Sequence, residues 1–506
     1  MNTFSSPDSN ARALIIGASI AGLLAARVLS EHYREVVLLE RDELPEGAAP
    51  RKGTPHALHP HGLLARGRQV LEELFPGLTD ALVAQGARAG DLLADAVFNA
   101  GRHRFAQGRC GIGGIVVSRL LLEAELRRRV LSLTNVRAMT GSHVRQPVLD
   151  EASQRVVGVS VSRSDGDTTV PADLAVDCTG RASRTPSWLE GWGYAAPEED
   201  RVTVGLRYTT AYFARPQPMH GEPNVVICSA TPLQPRPGVL LAQEPAGGGP
   251  PRWVLGVGGY AGDHPGGTLE AVRERTRTMG CEELMRVCRD NEPIGALLQY
   301  EFPFSQRRRY EQLERFPSNY LVLGDALASF NPIYGQGMTV TVCQALALRD
   351  ALRSGDLAAL RRRFFAAAAK LIDTPWQLAV GADLALPFVA GPRSVPQRLI
   401  DRYIARLHRA AVHDARVALA FLKVVHLLEP PSSLFAPAVA LRVLLRSGRS
   451  IRSDGLPPCH EGNAQALGQV PSRGAAGARD ATRPTPASNC VGTDRFEPKE
   501  NHAQPR

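Results

Sequence analysis

The first forty residues constrain the fold more than any other part of this chain. Residues 11–16 (ARALII) and 35–40 (EVVLLE) are short apolar runs, and a helical pattern lies between them from Ile20 to about Glu31. Short apolar runs of this kind are typical of fully buried parallel strands. A strand, a tight turn, a helix and a second strand within about thirty residues predict a βαβ unit. We therefore expect a parallel sheet in this part of the chain.

The turn of this unit reads Gly17-Ala-Ser19-Ile-Ala-Gly22, which matches the dinucleotide-binding pattern Gly-x-Gly-x-x-Gly except at its middle position. Gly17 suits the tight turn, Gly22 lets helix and strand approach closely, and Ser19 adds only a small side chain near the expected pyrophosphate. The helix N-terminus offers free N–H groups and a partial positive charge to phosphates. Glu40 lies 18 residues after Gly22, where a carboxylate binds ribose hydroxyls. These features predict a dinucleotide site; a βαβ turn without ligand is the alternative.

A second block, at 320–338, predicts another part of a ligand site. The run YLVLGDA is typical of a buried strand, and it places Asp325 at the strand's carboxyl end after Gly324. Ligands of open α/β sheets bind at such strand ends. The sequence NPIYGQGM follows at 331–338, and its glycines allow backbone to lie flat against a planar group. A helix that begins there would stabilise negative charge at its N-terminus. An ordinary strand–loop–helix connection is the alternative.

Composition argues against several other classes of protein. The chain has 506 residues, a net charge of +9, and apolar and charged fractions of 44% and 22%, which are typical of a globular protein with two or three domains. The sequence lacks the long basic runs with interleaved aromatic residues that would indicate nucleic-acid binding. The eight cysteines form no CxxC pair, and residues 1–10 do not resemble a signal peptide. The uncharged stretch 326–348 contains several glycines and a proline that a membrane-spanning helix would rarely carry together. We expect a soluble, cytoplasmic protein.

Taken together, these blocks resemble the superfamily of FAD-dependent monooxygenases with the para-hydroxybenzoate hydroxylase-like fold. The resemblance covers about residues 11–350. It implies an α/β fold with a Rossmann-like, three-layer FAD-binding domain of the GR2 type, an inserted β-sheet substrate domain and a helical C-terminal section. The implied segments are the FAD-binding domain at 11–190 and 301–360, the substrate domain at 191–300 and the helical section at 361–446. Residues 1–10 are expected to be a flexible N-terminus. Residues 447–506 contain too few large apolar residues to offset chain entropy and are expected to be a disordered tail.

The resemblance also assigns the cofactor contacts residue by residue. Gly17, Ser19 and Gly22 fall on the phosphate loop, and Glu40 falls on the ribose carboxylate. Asp325 falls on the aspartate that holds the ribityl chain, and Pro332 to Gly337 fall on the loop at the isoalloxazine edge. The full set of predicted FAD contacts is Gly17, Ser19, Gly22, Glu40, Arg41, Arg51, Arg119, Gly180, Gly324, Asp325, Pro332, Gly335, Gly337 and Met338. No catalytic side chain and no metal site are predicted.

Three blocks resemble bacterial FAD-dependent epoxidases of polyketide (polyether) pathways more specifically. They are 51–57 (RKGTPHA), 171–183, which contains the pattern Asp-x-x-Gly-Arg-x-Ser, and 324–338. The segment after Gly53 departs from that pattern at several positions. The hydroxylases of this fold carry a tighter Asp-Gly pair, associated with FAD and NADPH together, which is absent here. Flavin-dependent halogenases carry Trp-x-Trp-x-Ile-Pro, and Trp188, Trp192, Trp253 and Trp376 do not have that spacing.

The resemblance therefore implies a monooxygenase that transfers one oxygen atom from O2 through a flavin C4a-hydroperoxide. The preferred outcome is epoxidation of an alkene in a large apolar, polyketide- or isoprenoid-like substrate. The alternatives are an aromatic hydroxylase, an FAD-dependent reductase of prenyl chains, and a flavin-binding protein without turnover. The implied cofactors are FAD, O2 as co-substrate, and NADPH or NADH, used directly or through a partner flavin reductase. The expected partner is a small apolar substrate, with no nucleic acid and no membrane contact.

Three further features have both a structural and a functional interpretation. His56, His59 and His61 form a close group that is expected to be loop histidines, with contact to flavin or substrate and metal binding as alternatives. Asp383 lies in an apolar run, where a helix cap or a paired polar group is favoured over a functional carboxylate. The apolar helical stretch 415–428 is expected to pack on the protein body, with a wall of a substrate channel or a membrane-surface contact as alternatives.

Overall fold

The computed structural model describes residues 11–215 and 221–448. The strands of these residues are, in chain order, β1 (Arg12–Ile16), β2 (Glu35–Leu39), β3 (Arg88–Asp91), β4 (Ala96–Ala100), β5 (His103–Arg104), β6 (Gly113–Val116), β7 (Val136–Met139), β8 (His143–Asp150), β9 (Arg155–Arg163), β10 (Gly166–Pro171), β11 (Leu174–Asp177), β12 (Glu199–Ala214), β13 (Val225–Ser229), β14 (Gly238–Gln243), β15 (Arg252–Gly259), β16 (Leu298–Arg308), β17 (Tyr320–Val322) and β18 (Ala328–Ser329).

The α-helices of the same residues are α1 (Ile20–Leu29), α2 (Ala65–Leu74), α3 (Leu78–Ala84), α4 (Arg119–Leu131), α5 (Thr185–Gly191), α6 (Leu269–Met279), α7 (Glu282–Asp290), α8 (Gly337–Arg353), α9 (Leu360–Ala385), α10 (Val395–Ala411), α11 (Ala415–Val425) and α12 (Pro437–Arg446). Short 3-10 helices lie at Pro55–Leu58, Gly180–Ala182, Tyr310–Gln312, Gly324–Ala326, Pro332–Tyr334 and Pro431–Phe435.

A five-stranded parallel sheet organises the N-terminal part of the fold. Its strand order is β17-β11-β1-β2-β7, and all four neighbouring pairs are parallel. Strands β1 and β2 pair directly and α1 connects them, so the predicted βαβ unit is present. The carboxyl ends of β1, β2, β11 and β17 lie at one edge of the sheet. This edge is where open α/β sheets bind ligands.

Layers cover both faces of this sheet. Helix α1 contacts α4 and α8, and eight of its ten residues are buried, since it lies between the sheet and other helices. The three-stranded antiparallel sheet β10-β9-β8 contacts β11, and the valines of β9 at 159 and 161 join the same hydrophobic core. Helices, parallel sheet and antiparallel sheet therefore form the three layers of the predicted Rossmann-like fold.

The second large sheet has eight strands in the order β18-β16-β12-β15-β14-β13-β4-β5. Most of its strands come from the β-rich section between 199 and 308, but β4 and β5 come from earlier in the chain and β18 from later. Helices α6 and α7 contact one another and bury a separate apolar core against this sheet. The α/β fold class with a second β-sheet and a helical C-terminal section is thus confirmed. The exact domain boundaries stay predictions.

Residues 337–372 and 396–428 each have a continuous helical pattern in the sequence, but the structure divides each stretch into two helices. The stretch 337–372 becomes α8 and α9 because the chain turns at Gly355, which has a φ of +73°. The stretch 396–428 becomes α10 and α11 because Asp414 starts a new helix, where its carboxylate accepts the N–H of Arg416 at 3.0 Å. Both breaks depend on local features, a glycine with positive φ in one case and a capping aspartate in the other, which the apolar periodicity does not reveal.

Two predicted segments fall largely or wholly outside the described residues, namely the flexible N-terminus at 1–10 and the disordered tail at 447–506. Within residues 11–215 and 221–448, no helix combines the length and hydropathy needed to cross a bilayer.

Candidate active site

The turn after β1 has room only for glycine at two positions. Gly17 has a φ of +100°, and a Cβ atom there would lie 2.9 Å from the carbonyl oxygen of Cys178. A Cβ atom on Gly22 would lie 1.9 Å from the carbonyl oxygen of Gly17, which is far inside contact distance. The backbone of β1, β11 and α1 therefore meets tightly at the N-terminus of α1 and leaves its first N–H groups facing outward.

Glu40, directly after β2, is buried next to this turn. Its carboxylate accepts the N–H of Ala18 at 2.9 Å and the N–H of Asp42 at 3.1 Å, and it lies 3.1 Å from the guanidinium of Arg51. The carboxylate is thus fixed beside the phosphate turn by two backbone donors and one cation. This is the position that the sequence predicts for a ribose-binding carboxylate.

Arg51 joins three carboxylates that come from different parts of the chain. Its guanidinium lies 3.1 Å from Glu40, 3.3 Å from Asp42 and 3.1 Å from Glu123 on α4. Burial disfavours the charged guanidinium, but attraction to Glu40 and Glu123 outweighs that effect, and the pKa of Arg51 is raised above its ordinary value. The arginine therefore stays charged inside the protein.

Arg119, at the start of α4, completes this cluster. It donates to the Ser19 hydroxyl at 2.9 Å, and that hydroxyl donates to Glu123 at 2.8 Å. Burial lowers the pKa of Arg119, and its Nε atom is buried without a hydrogen-bond partner among the described residues. We refer to Glu40, Asp42, Arg51, Arg119 and Glu123 as the ion-pair cluster.

Asp325 lies at the centre of the second predicted block. A Cβ atom on Gly180 would lie 4.0 Å from the Asp325 Cβ, and one on Gly337 would lie 4.0 Å from its carboxylate. Burial raises the pKa of Asp325, while the charges of Arg119 and Arg181 oppose that effect. The electrostatic contact with Arg119 connects this block to the ion-pair cluster.

The glycine before it brings β17 against α1. Gly324 has a φ of +77°, its N–H donates to the side chain of Gln344 at 2.7 Å, and its added Cβ would lie 2.8 Å from the Cβ of Ala21. The two predicted blocks are therefore neighbours in space, although they are about 300 residues apart in sequence.

The loop at 331–337 forms a tight single turn before α8. The Asn331 side chain accepts the N–H of Ile333 at 3.3 Å, and Gly335 ends the turn with a φ of +64°. Gly335 packs against the backbone of Gly62, where an added Cβ would lie 3.3 Å away from the Gly335 Cα. Pro332 is exposed, whereas Met338 is buried in the first turn of α8.

Asp383, fully buried in α9, supports this loop from behind. One carboxylate oxygen accepts from the Asn331 amide and from the Tyr334 hydroxyl, both at 2.8 Å. The other carboxylate oxygen is buried without a partner among the described residues. Burial raises the pKa of Asp383 to about 7, although both hydrogen bonds oppose that change. Asp383 is therefore a paired polar group, as the sequence favours, although only one of its two carboxylate oxygens is hydrogen-bonded.

A large, mostly apolar cavity of about 950 Å³ borders this loop. Pro332 to Gln336 form one wall, and strands of the eight-stranded sheet form another. Helices α9, α10 and α11 close the cavity on the remaining side. The helical stretch 415–428 thus both packs on the body and lines the cavity, through Phe421 to Leu422 and Val424 to His426.

The three clustered histidines lie beside the cavity and hold no metal site. His59 is hydrogen-bonded to Thr210 at 2.8 Å, and His61, which lines the cavity, is hydrogen-bonded to the carbonyl of His59 at 2.8 Å. Burial lowers the pKa of His56, His59 and His61 to about 2, 4 and 3. Among the described residues, no group of three or more His, Cys, Asp or Glu is arranged to hold a metal ion. Of these neutral imidazoles, His61 is part of the cavity wall.

Most predicted contacts come together, but one does not. Gly17, Ser19, Gly22, Glu40, Arg51 and Arg119 surround one turn, and Gly180, Gly324, Asp325, Pro332, Gly335, Gly337 and Met338 surround the adjacent strand end and loop. The side chain of Arg41 is 60% exposed and turns toward Asp42, 3.9 Å away. It contacts no other member of the ion-pair cluster in this structure.

Sequence reasoning missed two groups of residues. Glu123 forms ion pairs with three arginines. Its position four residues after Arg119 on a predicted helix would have predicted one of these pairs. His103 and His408 in the cavity wall carry no such signal, because they belong to distant elements without a motif.

This arrangement of a glycine turn, a ribose-side carboxylate and a second strand end with its loop is the one expected of an FAD-dependent oxidoreductase. Residues 13–255 match the family model described as "FAD dependent oxidoreductase". Protein Rv3254 of Mycobacterium tuberculosis (strain ATCC 25618 / H37Rv) is 37% identical over 469 residues, which cover 87% of this chain and 96% of that protein. The chain therefore belongs to the same family as this mycobacterial protein, and its residues 13–255 match the FAD-dependent oxidoreductases.

Solved flavoenzymes share the fold. The flavin-dependent brominase Bmp2 is 15% identical with a TM-score of 0.60, covering 86% of this chain and 98% of its own. The p-nitrophenol 4-monooxygenase PnpA from Pseudomonas putida DLL-E4 is 16% identical with a TM-score of 0.58, covering 83% and 99%. PqsL from Pseudomonas aeruginosa, a probable FAD-dependent monooxygenase, is 19% identical with a TM-score of 0.54, covering 74% and 97%.

The residues of this chain fit FAD. The glycine turn is a cradle that a Cβ atom would fill, and the free N–H groups of α1 suit a pyrophosphate. Glu40 is held as an acceptor for ribose hydroxyls, and the orphaned Nε of Arg119 is a donor between the turn and Asp325. The N-terminus of α8 follows Gly335 and would face negative charge on a ring at the loop.

Proposed function

We propose that this protein is a monooxygenase that inserts one oxygen atom of O2 into a large apolar substrate, with epoxidation of an alkene as the preferred reaction. The observation that carries the proposal is the cavity of about 950 Å³ next to the Pro332–Gly337 loop. In the family that the sequence resembles, this loop lies at the isoalloxazine edge. A substrate in the cavity would therefore meet the reactive side of the cofactor.

The size of the cavity favours a large substrate over a single aromatic ring. A cavity of about 150 Å³ is sufficient for benzene, whereas drug-sized ligands occupy about 300–1,000 Å³. The volume here is at the upper end of that range, and the wall is mostly apolar. A polyketide- or isoprenoid-like chain with isolated double bonds fits these properties, and the resemblance to polyketide epoxidases points the same way.

FAD would supply the redox chemistry: it accepts two electrons from NADPH or NADH and lets O2 react with the substrate. The overall balance is alkene, O2, reduced nicotinamide and a proton giving epoxide, water and oxidised nicotinamide. One oxygen atom enters the C=C bond, and the other leaves as water. We propose a cytoplasmic setting, with reduction either direct or through a partner flavin reductase.

The chain's own residues would position the cofactor and shield the reaction in the cavity from water. The glycine turn and the N-terminus of α1 would bind the pyrophosphate, Glu40 the ribose and Asp325 the ribityl chain. Asn331, Tyr334 and Asp383 hold the loop in one conformation through buried hydrogen bonds. The helices α9, α10 and α11 cover one side of the cavity, which would reduce the access of water to reactive oxygen species.

Two of the three structural neighbours named above support the monooxygenase class: PnpA is a p-nitrophenol 4-monooxygenase, and PqsL is a probable FAD-dependent monooxygenase. The brominase among them shows that the fold alone does not choose the reaction. The absence of Trp-x-Trp-x-Ile-Pro from the sequence argues against halogenation. Aromatic hydroxylation stays the nearest alternative.

The test uses the FAD-loaded full-length protein with NADPH or NADH, farnesol as a polyene probe, p-nitrophenol as an aromatic probe, and 18O2. We expect an epoxide of the polyene that carries one 18O atom, detected by mass spectrometry. Reactions without protein but with free FAD, a flavin reductase and catalase control for chemistry in solution.

Three other outcomes overturn part of the proposal, and a fourth selects one of its two routes of reduction. An 18O-labelled product from p-nitrophenol alone would make the protein an aromatic hydroxylase. Consumption of the polyene without O2 would make it a reductase. Binding of FAD without turnover, even when a flavin reductase is added, would make it a flavin-binding protein. Turnover that requires the added reductase would replace direct NAD(P)H oxidation with a partner.

A further inference from the structure

Helix α10 carries one face of the cavity along most of its length. Its cavity-lining residues are Gln397, Ile400, Asp401, Ile404, Ala405, His408 and Arg409. This spacing of three and four residues is that of a single helical face. Gln397 and His408 are eleven residues apart, and a rise of 1.5 Å per residue separates them by about 16 Å along the helix axis.

The two ends of this face meet different parts of the protein. The Gln397 end is close to the loop, because an added Cβ on Gly381 of α9 would lie 3.4 Å from the Gln397 side chain. Two residues after Gly381, Asp383 is hydrogen-bonded to Tyr334 of the loop. His408 lies at the other end of the face, away from the loop. The cavity is thus elongated along α10.

The far end combines aromatic rings with two imidazoles and the neighbouring Arg409. His408 packs against Phe105 and Phe421, with ring centroids 5.7 Å and 5.0 Å away. Its Nε2 atom is buried and has no hydrogen-bond partner in the described part of the chain. The Nδ1 atom of His103, on β5, is buried and unpartnered in the same way, and His103 also lines the cavity.

Buried polar atoms are normally hydrogen-bonded, so two unpartnered imidazole nitrogens in one cavity wall indicate a missing ligand. Burial, and then the neighbouring His103, lower the pKa of His408 to about 3, and the pKa of His103 is lowered by burial and Arg409. Both rings are therefore neutral near pH 7. A neutral imidazole offers one donor and one acceptor, which suits a hydroxyl or carbonyl group.

We propose that His408, together with His103, forms a polar subsite that binds an uncharged oxygen atom, hydroxyl or carbonyl, at one end of an elongated apolar substrate. The other end of the substrate meets the Pro332–Gly337 loop at the Gln397 end of α10, and Gln397 lies about 16 Å from His408 along the helix axis. This inference rests on the proposed function for the identity of the cavity as the substrate site. It makes His408 a residue that sets which double bond reaches the loop.

The test measures binding to the oxidised, FAD-loaded protein without reductant, so that no turnover occurs. The probes are trans,trans-farnesol, the same hydrocarbon chain with hydrogen in place of the hydroxyl, and farnesoate as the charged analogue. We expect farnesol to bind about tenfold more tightly than the hydrocarbon in isothermal titration calorimetry, as one extra hydrogen bond to a buried group gives.

His408→Phe should remove this preference and leave the affinity for the hydrocarbon within about threefold of the wild-type value. His408→Gln, which keeps a donor and an acceptor, should retain part of the preference, and His103→Phe should reduce it. His143→Phe, on the exposed strand β8, is the matched control and should change nothing. FAD content and melting temperature check that each variant is folded.

Equal binding of farnesol and hydrocarbon by the wild type would overturn the subsite, as would an equal loss of both affinities in His408→Phe. Tightest binding of farnesoate would replace the uncharged oxygen with an anionic group. These results are independent of oxygen transfer: a protein with the farnesol preference but without an 18O product keeps the subsite and loses the proposed function.

Discussion

The ion-pair cluster and the cavity are built on opposite principles. In the cluster, Arg51 contacts three carboxylates within 3.3 Å, and Glu123 is shared among Arg51, Arg119 and Arg127. In the cavity wall, polar atoms of His103, His408 and Gln336 are buried without partners among the described residues. The cluster is held together by the protein's own charges, whereas the cavity leaves polar atoms for a ligand.

This difference separates two kinds of evidence for function. A cluster whose charges are paired with one another fixes the backbone turn that a nucleotide uses, so its residues contribute to stability and to cofactor binding together. Unpaired polar atoms in a cavity wall destabilise the folded protein, and a ligand that hydrogen-bonds to them removes that destabilisation. Mutations in the cluster should therefore change stability strongly, and mutations in the cavity should change ligand preference more than stability.

The largest expected effect follows from removing the charge shared in the cluster. Glu123→Gln leaves buried guanidinium groups of Arg51, Arg119 and Arg127 without their common anion, and breaking a buried ion pair in this way costs about 3–5 kcal/mol. Urea denaturation at pH 7 measures this loss of unfolding free energy. The matched control is Glu274→Gln, in an exposed pair with Arg277, which should cost less than about 1 kcal/mol. Equal losses in both variants would mean that the cluster is not special.

The second effect tests the close approach at the glycine turn. Gly22→Ala places a Cβ atom against the carbonyl oxygen of Gly17, a backbone atom that cannot move aside easily, and we expect a cost of about 3 kcal/mol. FAD affinity, measured by quenching of flavin fluorescence, should fall by about 100-fold. Gly191→Ala in α5 is the control, because nothing lies within 4 Å of its added Cβ. Retention of FAD by Gly22→Ala would contradict the tight turn.

The third effect lies on the boundary between loop and cavity. The raised pKa of Asp383, about 7, means that the folded protein holds a proton that the unfolded chain has lost above about pH 4. Stability from this group is present at low pH and is lost as the pH rises toward 7. Asp383→Asn removes that loss, so its stability relative to the wild type should rise by about 2 kcal/mol between pH 5.5 and pH 8.

Chemical denaturation at several pH values measures this change. Asp165→Asn, at a side chain that is 76% exposed, should show no such trend and serves as the control. A difference between Asp383→Asn and wild type that is independent of pH would mean that Asp383 is ionised throughout, which would contradict its burial as a protonated carboxyl group.

The same comparison explains which parts could be predicted from the sequence. The turn at Gly17–Gly22 and the carboxylate of Glu40 are close in sequence, and local spacing alone indicates them. Asp325 needed the resemblance to a family, because nothing in the spacing connects it to a turn about 300 residues away. The wall of the cavity comes from β5, α9, α10 and α11, whose apolar faces look like ordinary packing faces. His408 could not be found without the packing that leaves its Nε2 atom unpartnered.

The smallest expected effect sharpens the comparison at the one position where the turn departs from the glycine pattern. Ser19→Gly removes a hydroxyl that accepts from Arg119 and donates to Glu123, and each such hydrogen bond contributes about 0.5–1.5 kcal/mol. We expect a loss of about 1 kcal/mol in unfolding free energy, because the Arg119 guanidinium and Glu123 carboxylate, already 3.7 Å apart, can close on one another. Fluorescence titration should show FAD affinity within about threefold of wild type, since glycine leaves the backbone donors of α1 in place. A tenfold gain in affinity would instead show that the serine obstructs the pyrophosphate, and a tenfold loss would show that its hydroxyl binds the cofactor directly.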